Sequence, residues 1–142
     1  EKYAIDYDKN NKIELKSIND SFASAANYLN KMGWKSNSNC FIQIELKENI
    51  PIKYLNVSAK KLNNKRKAIF FKKYIINYDN LNIDDKLLTA IITPDKDIVP
   101  DANTLKPAYL VFDNYELILK WNRSLRFALA VCTLRSKFKN EL

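Results

Sequence analysis

The spacing of apolar residues changes twice along the chain, and this change constrains the fold more than any other sequence feature. Residues 18–31 carry apolar side chains at the spacing of an amphipathic helix, at Phe22, Ala25, Ala26 and Leu29. Gly33 follows as a stop signal, and Ser17 or Asn19 would cap the start. The pattern therefore predicts a first helix over 18–31.

The middle of the chain, residues 35–110, changes to alternating or β-branched apolar stretches. Strands are predicted where these stretches occur, at 41–46, 68–76, 87–93 and 108–112. Pro94, Pro100 and Pro107 punctuate the end of this region. A small, mostly β subdomain is therefore expected between the first helix and the rest of the chain.

The last region returns to helical spacing. Apolar side chains from Tyr115 to Trp121 follow a cap-like Asp113, and Ser124 precedes a second helix that should be largely buried. The fold class predicted from the whole pattern is α+β. The predicted divisions are 1–34 (loop and helix), 35–112 (β-rich subdomain) and 113–142 (C-terminal helices).

Composition excludes several kinds of site. The 142 residues include no histidine, one glycine and two cysteines. Histidine-dependent triads and zinc helices are therefore excluded, as are glycine-rich phosphate loops. Cys40 and Cys132 are interpreted as buried apolar residues, with a disulfide as the less favoured alternative.

An acidic loop precedes the first helix. Asp6, Asp8 and Asn10 alternate, and Lys12 follows with its backbone carbonyl at the next ligand position of an EF-hand-like calcium loop. Ser17 stands where the usual loop has a bidentate glutamate, and Asp20 could supply the closing carboxylate of a longer loop. A solvated turn that caps the helix is the alternative.

A basic run occupies residues 60–73, with seven cations and no acidic residue within a chain of net charge +8. Interleaved aromatics at Phe70, Phe71 and Tyr74 could form stacking platforms for single-stranded nucleic acid, although such residues more often mark a core. A solvated surface is the favoured interpretation, followed by binding to an anionic envelope polymer. Nucleic acid is the least favoured of the three.

Two blocks in the correct order resemble the membrane-bound lytic murein transglycosylase B family. LKPAYLVFDNYELILKWNRSLRFALAVCTL (105–134) is similar to the family's C-terminal segment, with its PAFLV-type strand and [WY]-N-R-S helix. YAIDYDKNNKIEL followed by SFASAANYLNKMGW (3–34) is similar to its calcium loop and following helix. The resemblance implies a lysozyme-like helical part, incomplete in this chain, around a small β subdomain.

The resemblance also implies site residues. Asp6, Asp8, Asn10, Asp20 and the carbonyl of Lys12 would bind Ca²⁺, weakly because of nearby lysines. Tyr28, Trp121 and Asn122 match the family's substrate-binding aromatic and amide positions.

Enzymes of this family cleave the β-1,4 bond between N-acetylmuramic acid and N-acetylglucosamine without water, leaving a 1,6-anhydro end. Their general acid is a glutamate upstream of the calcium loop, and no residue of this chain matches it. The resemblance thus implies a C-terminal segment that binds peptidoglycan glycan strands but is inactive alone, with the missing N-terminal half as a partner. The alternative is a non-catalytic cationic module for peptidoglycan or nucleic acid.

The resemblance further implies a periplasmic or outer-membrane-associated location. No apolar run approaches the roughly 20 residues that a transmembrane helix needs.

Overall fold

The computed structural model describes Lys9, residues 18–95 and residues 105–141. Among these, the side chains of 18–22 and 138–141 are not part of the description. The chain divides into two compact units, Glu1–Ser38 and Asn39–Leu142. The predicted division at 34 and 112 remains a prediction.

The first unit contains helix α1 (Ile18–Lys31), with the bounds expected from the sequence. Gly33 adopts a positive φ of 98°, which suits a residue without a Cβ. The Trp34 N–H donates to the Leu29 carbonyl at 3.0 Å, closing the end of the helix as in a Schellman motif. Asn19 lies inside α1, so its predicted role as a cap is wrong, and Ser17 lies outside the described residues.

The second unit is built on a sheet of five short strands. These are β1 (Phe41–Ile44), β2 (Leu55–Asn56), β3 (Arg66–Lys67), β4 (Leu88–Ile92) and β5 (Ala108–Val111). The strand order is β1-β5-β4-β2, with β3 also paired to β4. Among these described strands, the β2–β4 pairing is parallel, with Leu55 opposite Ile91, and the other three pairings are antiparallel. The strands predicted at 41–46, 87–93 and 108–112 are confirmed as β1, β4 and β5.

The strand predicted at 68–76 is wrong. Residues Ala68–Phe71 form a short helix, α2, and Lys72–Tyr74 a 3-10 turn. Ala68, Phe71 and Ile75 are buried whereas Ile69 and Ile76 are exposed, which is a helical rather than an alternating pattern of burial. Because most positions of this stretch are apolar, the sequence alone does not show whether its buried residues follow a helical or an alternating spacing.

Two helices complete the second unit, α3 (Asp113–Trp121) and α4 (Leu125–Glu141). Asp113 is the first helical residue, not the cap that the sequence suggested, because Phe112 holds the cap position with extended backbone. Ser124 does cap α4, since its Oγ accepts a hydrogen bond from the Phe127 N–H at 3.2 Å. The predicted order of helix, β segment and two helices is confirmed, and with it the α+β class.

Cys40 and Cys132 form a disulfide, so the favoured interpretation of two free buried thiols is wrong. The bridge joins the residue before β1 to the middle of α4 across 92 positions of sequence. Sequence spacing could not reveal this pairing, because it depends on how the sheet places β1 beside α4. No helix within the described residues combines the length and apolar content that crossing a bilayer requires.

Candidate glycan-binding site

The candidate site lies where α3 ends and α4 begins. The Asn122 N–H donates to the Ile118 carbonyl at 3.0 Å and closes the last turn of α3. The Ser124 N–H then donates to the Asn122 carbonyl at 2.8 Å. These backbone hydrogen bonds fix a tight turn that holds Trp121 and Asn122 at the surface.

Trp121 is the last residue of α3, and 46% of its surface is exposed. Its ring packs edge to face on Phe127 of α4, with centroids 6.1 Å apart. A neighbouring ring therefore orients the indole while a large part of it remains accessible to ligand. The sequence did not indicate that Phe127 would support the Trp121 ring. The two residues lie on different helices, and the cap at Ser124 starts a new helical period between them.

Asn122 holds the C-cap position through its backbone, and its side chain is exposed. Within the part of the chain that the structure describes, its amide makes no hydrogen bond, so its donors and acceptor can serve a ligand. The Ser124 side chain caps the start of α4. Arg123 contributes to the lining of a neighbouring pocket.

A buried hydrogen bond supports the turn from below. The Tyr115 hydroxyl, fully buried in α3, donates to the Leu125 carbonyl at 2.9 Å. Burial raises the pKa of Tyr115, because the apolar surroundings disfavour a phenolate. The phenol therefore stays protonated and remains a donor at neutral pH.

Tyr28, the third predicted substrate-binding residue, lies in α1 of the first unit and is half-buried. Its backbone carbonyl accepts a hydrogen bond from the Met32 N–H at 3.0 Å, at the end of the helix. Its proposed role in the site remains a prediction.

Most predicted calcium ligands lie outside the described residues, namely Asp6, Asp8, Asn10 and Lys12. Asp20 falls in the first turn of α1, and its side chain is not described. The described residues contain no cluster of three or more acidic, histidine or cysteine side chains that could hold a metal ion. The chemistry of the predicted set fits calcium, since carboxylate, amide and carbonyl oxygens are the ligands this ion prefers.

The aromatic side chains of the basic run mostly pack within the protein or against its own cations. Phe71 is fully buried, and Lys73 lies over the rings of Phe70 and Tyr74 at 4.7 and 5.0 Å from their centroids. Arg66 lies over Phe70 at 5.7 Å. The rings therefore pair with the cations of the same run instead of forming an open stacking surface.

Comparison with known proteins identifies the chain's relatives. Residues 1–136 match the transglycosylase SLT domain family. No curated protein sequence gives a significant match.

Similar solved structures include SltB3 from Pseudomonas aeruginosa in complex with NAG-NAM-pentapeptide, at 23% identity and a TM-score of 0.66 over 97% of this chain and 35% of that one. SltB1 from the same organism is 16% identical with a TM-score of 0.70, over 99% of this chain and 43% of SltB1. Slt35 from Escherichia coli in complex with calcium is 17% identical with a TM-score of 0.61, over 94% of this chain and 38% of Slt35. The chain thus spans well under half the length of these relatives, and at such identity the likeness concerns the fold alone.

Proposed function

Because the chain belongs to the lytic transglycosylase SLT domain family, we propose that it binds the glycan strands of peptidoglycan as part of a lytic transglycosylase. The reaction of the whole enzyme would be non-hydrolytic cleavage of the β-1,4 bond between N-acetylmuramic acid and N-acetylglucosamine, giving 1,6-anhydro ends. The observation that carries this proposal is the half-exposed Trp121 ring, held by Phe127 beside the exposed amide of Asn122.

Each of these groups suits a sugar ring. The face of an indole packs against the apolar C–H face of a pyranose, and an amide both donates to and accepts from hydroxyl or acetamido groups. Neither group transfers protons near neutral pH, so Trp121 and Asn122 would bind and orient the glycan. Tyr28, in α1 of the first unit, is proposed as a further substrate-binding residue.

We propose that this chain alone does not cleave glycan. A general acid must keep its proton near neutral pH, which requires a desolvated carboxyl group. Among the glutamates whose side chains the structure describes, Glu45 and Glu48 are exposed, and the Glu116 Oε2 is bound to the Lys65 ammonium at 2.8 Å. The general acid would then come from another part of the enzyme, consistent with the 35% to 43% of SltB3 and SltB1 that the chain spans.

A calcium site in the loop before α1 is also proposed, with Asp6, Asp8, Asn10, Asp20 and the Lys12 carbonyl as ligands. The donor chemistry and the calcium complex of Slt35 support it. When bound, the ion would fix the loop at the start of the helix. Calorimetric titration with Ca²⁺ should show weak binding, and an Asp8→Asn variant should bind more weakly still; absence of both heat and a thermal shift would remove the claim.

An extracytoplasmic location, periplasmic or at the outer membrane, is proposed with the function. The Cys40–Cys132 disulfide supports it, because disulfides persist mainly in oxidising compartments. Cell fractionation, with thiol labelling of each fraction, would test it. Recovery of the chain in the cytoplasm with free thiols would contradict the assignment.

Binding to insoluble murein tests the main proposal. Trp121→Ala and Asn122→Ala should each reduce the bound fraction several-fold, whereas Leu134→Ala, which truncates another exposed apolar side chain, should not. Equal binding by all four proteins would sink the assignment of the site. Release of anhydro-muropeptides by the unmodified chain alone would show that the general acid lies within it.

A gel-shift assay at increasing salt concentration distinguishes the nucleic-acid alternative from glycan binding. Binding of oligonucleotides through the basic run should weaken steeply with salt, because it depends on the release of counterions. We expect no such complex at physiological salt, since the rings of Phe70 and Tyr74 are paired with Lys73.

A further inference from the structure

A cationic pocket lies beside the candidate glycan site. It has a volume of about 190 Å³ and lies between the loop at 59–62 and the C-terminal half of α3 with the following turn. Lys60 and Lys61 line it from the loop, and Lys120 and Arg123 line it from the helix end. The proposed function makes no use of this pocket.

The charges of the pocket are unbalanced. Glu116 is the acidic residue in its lining, and the Glu116 carboxylate is already bound to Lys65 at 2.8 Å. Within residues 18–95 and 105–141, no ion pair or hydrogen bond engages the side-chain cations of the four basic residues. Four exposed cations around one concave surface create a positive potential that favours an anionic ligand.

The floor and the size of the pocket restrict that ligand. Leu62 and Leu119 line it and are nearly fully buried, so the pocket has an apolar floor of low dielectric beneath the cations. Its volume is below the roughly 300 Å³ at which pockets for drug-sized molecules begin. The pocket therefore suits one charged group of a larger ligand.

The position of the pocket indicates which charged group of the ligand it would bind. Lys120 and Arg123 directly flank Trp121 and Asn122 in sequence, so one turn of chain carries residues of both the pocket and the glycan site. A carboxylate attached to a bound glycan through a short peptide would reach the cations, and the guanidinium of Arg123 can bind a carboxylate through two hydrogen bonds. A nucleic acid would instead require a continuous groove that follows many phosphates.

We infer that the pocket formed by Lys60, Lys61, Lys120 and Arg123 binds a carboxylate of the peptide that peptidoglycan glycan strands carry. This inference rests on the proposed glycan-binding function, and it adds a peptide-recognition site to it. The pocket would then favour glycan that carries peptide with free carboxylates over glycan whose peptide is neutral.

Calorimetry with two matched ligands tests the inference. One is GlcNAc-MurNAc-pentapeptide, and the other is the same compound with its peptide carboxylates converted to amides. At fixed ionic strength the chain should bind the charged ligand roughly tenfold more tightly, as expected for charge-assisted hydrogen bonds. The double variant Lys61→Gln/Arg123→Gln should bind the two ligands equally.

A matched control removes two charges elsewhere. Lys47 and Lys86 are exposed residues away from the pocket lining, and the double variant Lys47→Gln/Lys86→Gln should keep the tenfold preference. Circular dichroism and thermal unfolding should show that both double variants fold. Equal binding of the two ligands by the unmodified chain, or an unchanged preference in Lys61→Gln/Arg123→Gln, would overturn the inference.

A second variant separates this inference from the proposed function. Trp121→Ala should weaken binding of both ligands by the same factor if the glycan site is correct. An unchanged affinity of Trp121→Ala with a persisting charge preference would refute the glycan site and leave the pocket intact. Absence of binding of either ligand to the unmodified chain would refute both. Displacement of the charged ligand by a single-stranded oligonucleotide would overturn the pocket's assignment to peptide.

Discussion

The hydroxyl of Tyr115 donates a hydrogen bond to the carbonyl of Leu125 at 2.9 Å, and both residues are buried. The bond connects the first turn of α3 to the first residue of α4, so the turn that presents Trp121 and Asn122 is held at both ends.

Replacing this hydroxyl should destabilise the second unit. Tyr115→Phe removes a buried hydrogen bond to the Leu125 carbonyl, and the free energy of unfolding should fall by about 1 to 2 kcal/mol in urea titrations. Tyr109→Phe is a matched control, because Tyr109 is half-buried in β5 and contacts Phe41 through its ring. Equal losses in the two variants would contradict a specific role for the Tyr115 hydrogen bond.

Stability should also fall in alkaline solution. Burial raises the pKa of Tyr115, and burial followed by the hydrogen bond to Asp85 raises that of Tyr78. Because the folded chain retains these protons after the unfolded chain loses them, the free energy of unfolding should be level below about pH 10, the usual tyrosine value, and decrease above it. Thermal unfolding between pH 8 and 12 would measure this decrease.

The variant Tyr115→Phe provides the control for the alkaline effect. Its stability should fall less steeply above pH 10, since one of the two buried phenols no longer titrates. An identical slope in the variant and the unmodified chain would show that other groups cause the alkaline loss.

The buried amide of Asn56 should control the loop that carries Lys60 and Lys61. Its Nδ2 donates to the carbonyls of Ile91 and Asn63 at 2.9 and 3.1 Å, and its Oδ1 accepts from the Asn63 N–H at 2.7 Å. Asn56→Ala removes all three hydrogen bonds and should reduce the free energy of unfolding by about 2 to 3 kcal/mol.

Asn64→Gly is the comparison for Asn56→Ala. Asn64 is half-buried, its Nδ2 donates to the Lys53 carbonyl, and its φ of 55° is a left-handed conformation that glycine adopts without the strain alanine would have. One hydrogen bond near solvent contributes about 1 kcal/mol or less. Hydrogen exchange should show faster opening of residues 57–63 in Asn56→Ala and a much smaller change in Asn64→Gly.

The disulfide should contribute strongly to stability. Cys40 and Cys132 lie 92 positions apart, so the bridge removes much of the conformational entropy of the unfolded chain. The variant Cys40→Ser/Cys132→Ser should unfold with a free energy about 4 kcal/mol lower than the oxidised chain. Reductant should destabilise the unmodified chain and leave the double variant unaffected. An unmodified chain whose stability does not change with reductant would exclude the bridge in solution.

The sequence predicted the elements whose apolar period is regular. Helix α1 has a clean period and a glycine at its end, and the positive φ of Gly33 is the conformation for which that glycine is required. The stretch at 68–76 is apolar at nearly every position, so its period is hidden, and only packing distinguishes buried Phe71 from exposed Ile69.

Part of the candidate site could also be predicted, because it depends only on local sequence. Trp121 and Asn122 stand together in a motif, and local backbone geometry keeps them together at the end of α3. The cationic pocket brings Lys61 and Arg123 together from distant parts of the chain, and so does the disulfide for its cysteines. Such pairings depend on the sheet order and cannot be read from local spacing.

The Cys40–Cys132 bridge makes residues 40 to 132 a covalent ring that contains the whole sheet, α3 and the candidate glycan site. A single proteolytic cut anywhere within that ring would leave both products attached to each other. A chain nicked in this way would keep Lys61 and Arg123 on one molecule, and a reducing agent would be needed to separate them.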